Sequence, residues 1–585
     1  MASAPATDGP ETSATASTTT TPTTPTTPTT APPSRPPLWR TIVAHPLLQA
    51  ALVVVGFFGV RVVLTQWPAK LPVGCYTSAV IVAQALMVPA VFFALLFAVG
   101  VGGLLKFRGL SWRDEDLRPL RVVVVVIVVV LAWAYALYPY NHFLGRAHLV
   151  DRFLIVALAA LVVRHPAFFP SFVWVVVVVI GQFKAPIGYS WTDIDLVIDA
   201  SSVLVSALVL RSLGLARAQA VIIALLVLVG AQCFDAAILK HARSPTGFEW
   251  PTQNNIANLF VSSHINGWLP DLSEPTMLSL ASFVSSVAVP LQSLTFVLEA
   301  APLIMLLSRR LTIAVLLGLV GMHLGILVAS GIFFWKWSAL CLALAWTLHR
   351  SGKSWLHPRW MALVAAPYIF FGGSAADVGN GLAWWDTRVS QRHHFVAVTT
   401  TGERFQIDEH DLAPYDKSMA QDRFFYLHNE KQLTGTLGSA QGGGYRQFRA
   451  IQEATTKEQI VKMIAKRGVA KGDPAKAARF DRFVREFVRS RNAHGDDALV
   501  RFFAVVSPPM HIGHRAPRAA RLPLDAKVDR VEVMLREVWY DGAAVHQLRE
   551  LKVRDIQIPG PKDDDPPAPR AAKKKKRAKT KAAAP

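Results

Sequence analysis

Residues 121–138 form a nearly unbroken run of valine, isoleucine, leucine and alanine, too long for a strand in a soluble sheet. Such a run must face lipid or lie deep inside a helical bundle. Crossing the hydrocarbon core takes about 20 apolar residues in a helix, and fewer where neighbours shield the ends. The same reading marks candidate spans near 42–64, 77–103, 121–138, 151–164, 168–182, 194–212, 218–240, 279–306, 310–332 and 335–349, with a weaker eleventh at 361–373. Of the 585 residues, 52% are hydrophobic and 17% charged, against about 25% charged in an ordinary soluble domain. Mean hydropathy is +0.32 despite long polar segments at both ends. A simple soluble globule, a collagen and a wholly disordered chain are excluded. The three cysteines, Cys75, Cys233 and Cys341, lie in or beside apolar stretches, which excludes a disulfide framework and a CxxC metal site.

The fold class expected is an all-α polytopic membrane helical bundle of about ten spans, followed by a small α+β extramembrane domain, with disordered tails. Residues 1–37 are a Thr/Pro-rich tail without the positive segment and short apolar core of a signal peptide. The bundle takes 40–373, the α+β domain 385–558, and a basic tail 559–585. The formal net charge is +21, and the last 17 residues supply +8 of it, so the basicity does not by itself indicate a specific nucleic-acid partner. Membrane lipid is the partner the composition calls for.

Lysine and arginine fix the orientation. They crowd the loops at 106–121, 211–217, 309–310 and 350–359. With ten spans and a cytoplasmic N-terminus, all four loops fall on the cytoplasmic side. The usage of Ala, Val and Arg matches a GC-rich bacterial genome, which points to a bacterial inner membrane.

Ionisable groups at membrane depth are costly, so each is a functional candidate. Asp193, Asp195 and Asp199 begin one span; Asp235 and Lys240 lie near the outer end of another. Gln292 and Glu299 follow in the next, then His323 in the middle of the one after. Bundle hydrogen bonding explains such groups as readily as function does, and Lys240 can instead snorkel to the interface.

The segment Cys233-Phe-Asp-Ala-Ala-Ile-Leu-Lys240 resembles the "aromatic-Phe-x-Ala-Gly-x-x-Lys" stretch of the vitamin K-dependent γ-carboxylases. Trp250, Asn266-Gly-Trp-Leu269, Phe296-Val-Leu-Glu299, Ser308-Arg-Arg310 and Gly321-Met-His323 follow in an order similar to that family's. Its bacterial relatives form the wider horizontally transferred transmembrane (HTTM) domain family. The resemblance implies a carboxylase-like membrane enzyme of lyase and epoxidase type. It would use a quinol of vitamin K type as cofactor, with Lys240 as the base, His323 positioning the reacting groups and Glu299 orienting a partner. A lysine freed of its proton in an apolar site suits that role. Ala237 stands where the family has glycine, and Asp235 where the family is apolar. An Asp235 paired with Lys240 would hold it protonated, but five residues along a helix put the two on different faces, so they need not pair.

In the polar region, Phe395–Val398, a turn at Thr399–Glu403 and Arg404–Ile407 read as a hairpin. Residues 456–467 and 475–490 read as helices, the second with Phe480, Phe483 and Phe487 on one face; 498–506 and 528–540 read as strands. The domain either caps the outer mouth of the bundle or hangs on the cytoplasmic side. His511-Ile-Gly-His514 spells a nucleotide-binding signature, but prolines flank it and no βαβ series surrounds it. His393-His394 reads as a surface pair, since no thiol or carboxylate cluster accompanies it; no metal site is assigned. Two readings stand: a quinol- or lipid-linked enzyme using Lys240, or a non-enzymatic anchor or transporter-like bundle carrying the C-terminal domain. Convergence of Lys240, Glu299 and His323 on one cavity favours the first.

Overall fold

The computed structural model describes residues 45–70, 81–138, 148–184, 187, 194–351, 360–375, 383–412, 415–421, 424–436, 439–440, 444–495, 498–512 and 521–559. The expected tails, apart from Pro559, fall outside these residues, as do Cys75, Asp193 and His514.

The bundle is built from thirteen helices that matter here: α1 (Pro46–Val60), α2 (Pro89–Phe107), α3 (Arg118–Leu137), α4 (Leu149–Arg164), α5 (Phe169–Gly181), α6 (Asp195–Ser212), α7 (Ala218–Ala242), α8 (Ile256–Ile265), α9 (Glu274–Ser286), α10 (Ala288–Ala300), α11 (Arg309–Ser330), α12 (Trp335–Arg350) and α13 (Trp360–Ala375). Among the described residues each expected span contains helix, which satisfies the backbone of an apolar run within the run itself. Length and apolarity sufficient to cross a membrane belong to five: α1 extended to Gln66, α2, α3, α7 and α11. The pair α9 and α10, bent by 61°, makes a sixth if taken as one span. The remaining helices are too short, or in α6 too charged, to reach that mark alone.

Valine is a modest helix former, so its runs hold as helices through packing. In α5 nearly every residue is buried, from Phe169 through Val175–Val179 to Gly181, which makes it the axis of the bundle. The run 121–138 buries one face through Val123, Val124, Ile127, Val128 and Leu131, while Val129 is exposed. Trp174 donates from Nε1 to the Val91 carbonyl at 3.1 Å, and Trp112 likewise to Val162 at 2.7 Å. Asp199 pairs with Arg61 at 3.1 Å, a partner that hydropathy alone does not reveal.

The basic loops share one end: Arg211 pairs with Asp116 at 2.9 Å, and Arg309 donates from Nε to the Leu348 carbonyl at 2.7 Å. At the far end lies the C-terminal domain. Helix α13 reaches it by running alongside α7 in the same direction, with Ile369 beside Gly230, Gly372 beside Ala231 and Gly373 beside Asp235.

That domain is an antiparallel sheet backed by helices. Its strands are β1 (Val389–Thr399), β2 (Arg404–Gln406), β3 (Gly435–Thr436), β4 (Ser439–Ala440), β5 (Val528–Tyr540) and β6 (Val545–Gln557), in the order β3-β4-β1-β5-β6 with β2 paired to β1. The expected hairpin is present, with Ala397 opposite Phe405. Helices α14 (Lys457–Arg467) and α15 (Pro474–His494) form where expected. Thr456 caps the first, and Asp473 accepts from Ala475 N at 3.1 Å to cap the second. Phe480, Phe483 and Phe487 are buried, and Phe480 lies against Phe395 at 5.7 Å.

Two expectations for this region are corrected. Residues 498–506 form α16 (Ala498–Val506), not a strand. A short apolar run has no period that separates the two. Here Phe503 packs under the Arg152 guanidinium at 3.8 Å and the Val506 carbonyl accepts from Trp133 Nε1 at 3.1 Å. His393 is not a surface residue: it is buried, with Nε2 2.8 Å from His428 Nε2, while His394 lies 3.4 Å from Glu550. The domain seats on the bundle through an antiparallel bridge between Ile332 and Ile512, and through the Phe333 amide, which donates to the His511 carbonyl at 2.7 Å. His511 itself is packed against Phe334 at 5.1 Å; burial, then Lys417 and Lys336, hold its imidazole well below the usual range.

The turn from α11 into α12 depends on Gly331, whose φ is 71° and whose absent β-carbon would lie 2.2 Å from the Trp268 carbonyl oxygen. Gly331→Ala is expected to destabilise the protein by at least about 1 kcal/mol. Gly402→Ala, also at positive φ but with no atom near, should lose less. Thermal melting of the detergent-solubilised variants measures this; a Gly331→Ala midpoint equal to the parent's contradicts it.

Candidate functional site

Helix α7 presents Cys233, Ala236 and Lys240 on one face, at i, i+3 and i+7. Helix α10 presents Gln292, Thr295 and Glu299 at the same spacing, and α11 presents Met322, His323 and Ile326. These three faces meet around a cavity of about 90 Å³. Trp250, Asn254, Phe334 and Trp337 close its sides, and Trp384 and Asp386 of the C-terminal domain roof it. Lys240, Glu299 and His323, picked out separately in the sequence, therefore line one cavity.

Lys240 does not snorkel. It is buried, and its Nζ lies 2.5 Å from both Oε1 and Oε2 of Glu299. The same Nζ stands over the Trp250 ring at 4.4 Å, a cation–π contact. Ser244 ties this corner together, donating to the Lys240 carbonyl at 2.9 Å and accepting from the Trp250 amide at 3.1 Å. Asp235 and Lys240 lie on different faces of α7, as their five-residue spacing implies. Asp235 points to α13, where its Oδ1 would lie 2.6 Å from a β-carbon on Gly373. The reason is helical geometry: five residues along a helix rotate the side chain by about 140° after a full turn. Glu299 is the counter-charge to Lys240.

His323 is buried between Phe334 at 5.1 Å and Trp337 at 5.9 Å, and its Nδ1 lies 3.3 Å from Ser338 Oγ. It makes no hydrogen bond to Lys240 or Glu299 among the described residues; the cavity is what connects them. Gln292 Nε2 donates to the Trp250 carbonyl at 3.5 Å. Gln292 Oε1 and Trp337 Nε1 are buried with no hydrogen-bond partner among the described residues. An acceptor and a donor thus stand ready in an otherwise apolar wall. Among the described residues, no three His, Cys, Asp or Glu side chains gather as metal ligands would.

Asp386 is the group that sequence reasoning missed. It accepts from Asn254 Nδ2 at 2.7 Å and from Trp384 Nε1 at 2.9 Å, and its amide donates to Asn254 Oδ1 at 2.7 Å. Trp384 in turn accepts at its carbonyl from Trp250 Nε1 at 2.7 Å. Burial pushes the Asp386 carboxyl up to about 6, against the opposing pull of those two hydrogen bonds and the Lys240 charge. The one local signal was Trp384-Trp385-Asp386, an acid beside two tryptophans just past the last apolar run.

The folded protein holds the Asp386 proton more tightly than the unfolded chain does. Its contribution to stability is therefore complete below pH about 4 and is lost as the pH rises through about 6. Asp386→Asn should flatten that limb of the stability-versus-pH curve, whatever its constant offset. Melting midpoints across this range give the answer, and an unchanged slope in the variant counts against it.

No protein-family model matches the chain, and no curated protein and no solved structure matches it.

Proposed function

We propose that the chain is a multi-pass membrane enzyme of the vitamin K-dependent γ-carboxylase-like, HTTM-like kind, with Lys240 as its base. The observation that carries this reading is the convergence of Lys240, Glu299 and His323 on one largely apolar cavity. A buried ion pair is weak evidence for stability, since apolar residues of similar volume usually serve as well. Its presence asks for another purpose.

The chemistry of the pair fits a base. One proton is shared between an amine and a carboxylate. On Nζ it makes an ammonium; on Glu299 it leaves a free amine facing the cavity. With the shared proton on Glu299, Lys240 accepts a second proton at Nζ; the pair then holds two, and one must pass to another acceptor before Lys240 is a free amine again. Asp386 is a further proton reservoir on the same wall. In the family that the chain resembles, a quinol supplies the reductant whose oxidation by oxygen yields a strong base. The residues present fit a quinol: Trp337 Nε1 donates, Gln292 Oε1 accepts, and aromatic side chains flank the space. At about 90 Å³ the cavity is smaller than the roughly 150 Å³ that admits a benzene ring, so a quinol ring requires its wall to open.

In this reading, α13 crosses a bacterial inner membrane as the eleventh span, with the N-terminus and the basic loops cytoplasmic. The C-terminal domain then caps the outer mouth. The competing reading is a non-enzymatic anchor for that domain, favoured by the seam at Ile332 and Ile512. A transporter is less well supported: α9 and α10 form one bent pair, without a counterpart among the described residues.

Oxygen uptake by the purified protein with a naphthohydroquinone probe separates the readings. Lys240→Met should abolish uptake while the fold persists. Lys240→Arg should abolish it as well, since guanidinium does not deprotonate. Uptake by the Arg variant equal to the parent would reduce Lys240 to a positive charge and end the carboxylase-like reading.

A further inference from the structure

A second cavity, of about 310 Å³, lies at the seam between the bundle and the sheet, apart from the Lys240 site. Arg392 on β1 and Arg536 on β5 both line it. The two are directly opposite each other in the antiparallel register. Like charges in that position repel, and sheets avoid them unless something compensates. On its other side Arg536 stands opposite Glu550 of β6, which offsets part of that charge. Asp271 is the one carboxylate on the wall, and Glu550 outside it lies 3.4 Å from His394. His264 and His394 add two imidazoles to the lining.

The arginines differ in how they are held. Arg392 is buried, donates to the Asn266 carbonyl and stacks over Trp268 at 5.3 Å. Its guanidinium is therefore fixed in place at the back of the cavity. Arg536 is exposed and makes no hydrogen bond or ion pair among the described residues. His264 Nδ1 is buried without a hydrogen-bond partner among the described residues. One fixed guanidinium, one available guanidinium and an unsatisfied imidazole nitrogen converge on the same space. A doubly charged tetrahedral oxyanion matches two forked donors and resolves the repulsion between them.

We propose that this seam cavity binds a phosphate group, clamped between Arg392 and Arg536. The group belongs either to free phosphate or to a lipid headgroup. A neighbouring cavity of about 360 Å³ shares His264 and Arg536 and runs on to Met277 and Val545. Beside it, α9 exposes Leu280 and Phe283, a surface along which acyl chains can lie.

The test uses the full chain and Arg536→Gln, which removes the exposed guanidinium without touching a packed contact. In one arm the melting midpoint is followed against inorganic phosphate, with chloride at equal ionic strength as the control. In the other, native mass spectrometry scores retention of phosphatidic acid against phosphatidylcholine from mixed nanodiscs. The parent should bind in at least one arm, and the variant should bind about tenfold more weakly in that arm, the loss expected for one charge-assisted contact. A response to inorganic phosphate identifies the free anion as sufficient; a preference for phosphatidic acid without it identifies the headgroup. Binding by the variant equal to the parent's, or no binding by the parent in either arm, overturns the proposal.

Discussion

A buried ammonium held by a buried carboxylate is the constraint on which the functional end of this protein depends. Lys240 and Glu299 lose their hydration together, and each is tolerated only because the other is in contact. That requirement fixes the relative rotation and depth of α7 and α10. It also fixes what stands around them. Trp250 offers its ring face to the ammonium, and its indole N–H ties the corner to the C-terminal domain through Trp384. The roof over the cavity is thus connected to the charge pair by two contacts. Asp386 follows from the same chain of bonds, held by Asn254 and Trp384 at the point where the domain enters the bundle.

The division of the molecule follows from solvent. Apolar runs form helices, which satisfy their backbone groups within one segment. The basic loops collect at one end, and the sheet domain is seated at the other. The catalytic candidates are at the end that the domain covers, and the phosphate candidate lies in the seam beside them. Both cavities owe a wall to the bundle and a wall to the domain. The domain therefore completes the sites as well as capping them.

Much of this was legible in residue order. Ionisable residues within apolar runs are rare, so Lys240, Glu299 and His323 stood out one by one. What could not be read were contacts between residues far apart in sequence. Arg61 with Asp199, and Asn254 with Asp386, leave no periodic trace. Strand β6 escaped notice for a local reason. Its pairing with β5 shifts register between Val533 and Met534 and again between Glu537 and Val538, which breaks the alternation that marks a strand. Helix α16 was mistaken for a strand because its nine residues, Leu, Val, Phe and Ala apart from Arg501, carry both patterns.

The central claim is that the Lys240–Glu299 pair is kept for chemistry and not for stability. The double variant Lys240→Met/Glu299→Leu replaces both charges with apolar chains of similar length. Its melting midpoint, read with its oxygen uptake on a naphthohydroquinone, tests the claim most directly. Loss of the pair should leave stability unchanged or raise it, by as much as about 1–4 kcal/mol, while uptake falls to background. A double variant that melts well below the parent would show that the pair is structural, and would contradict the account.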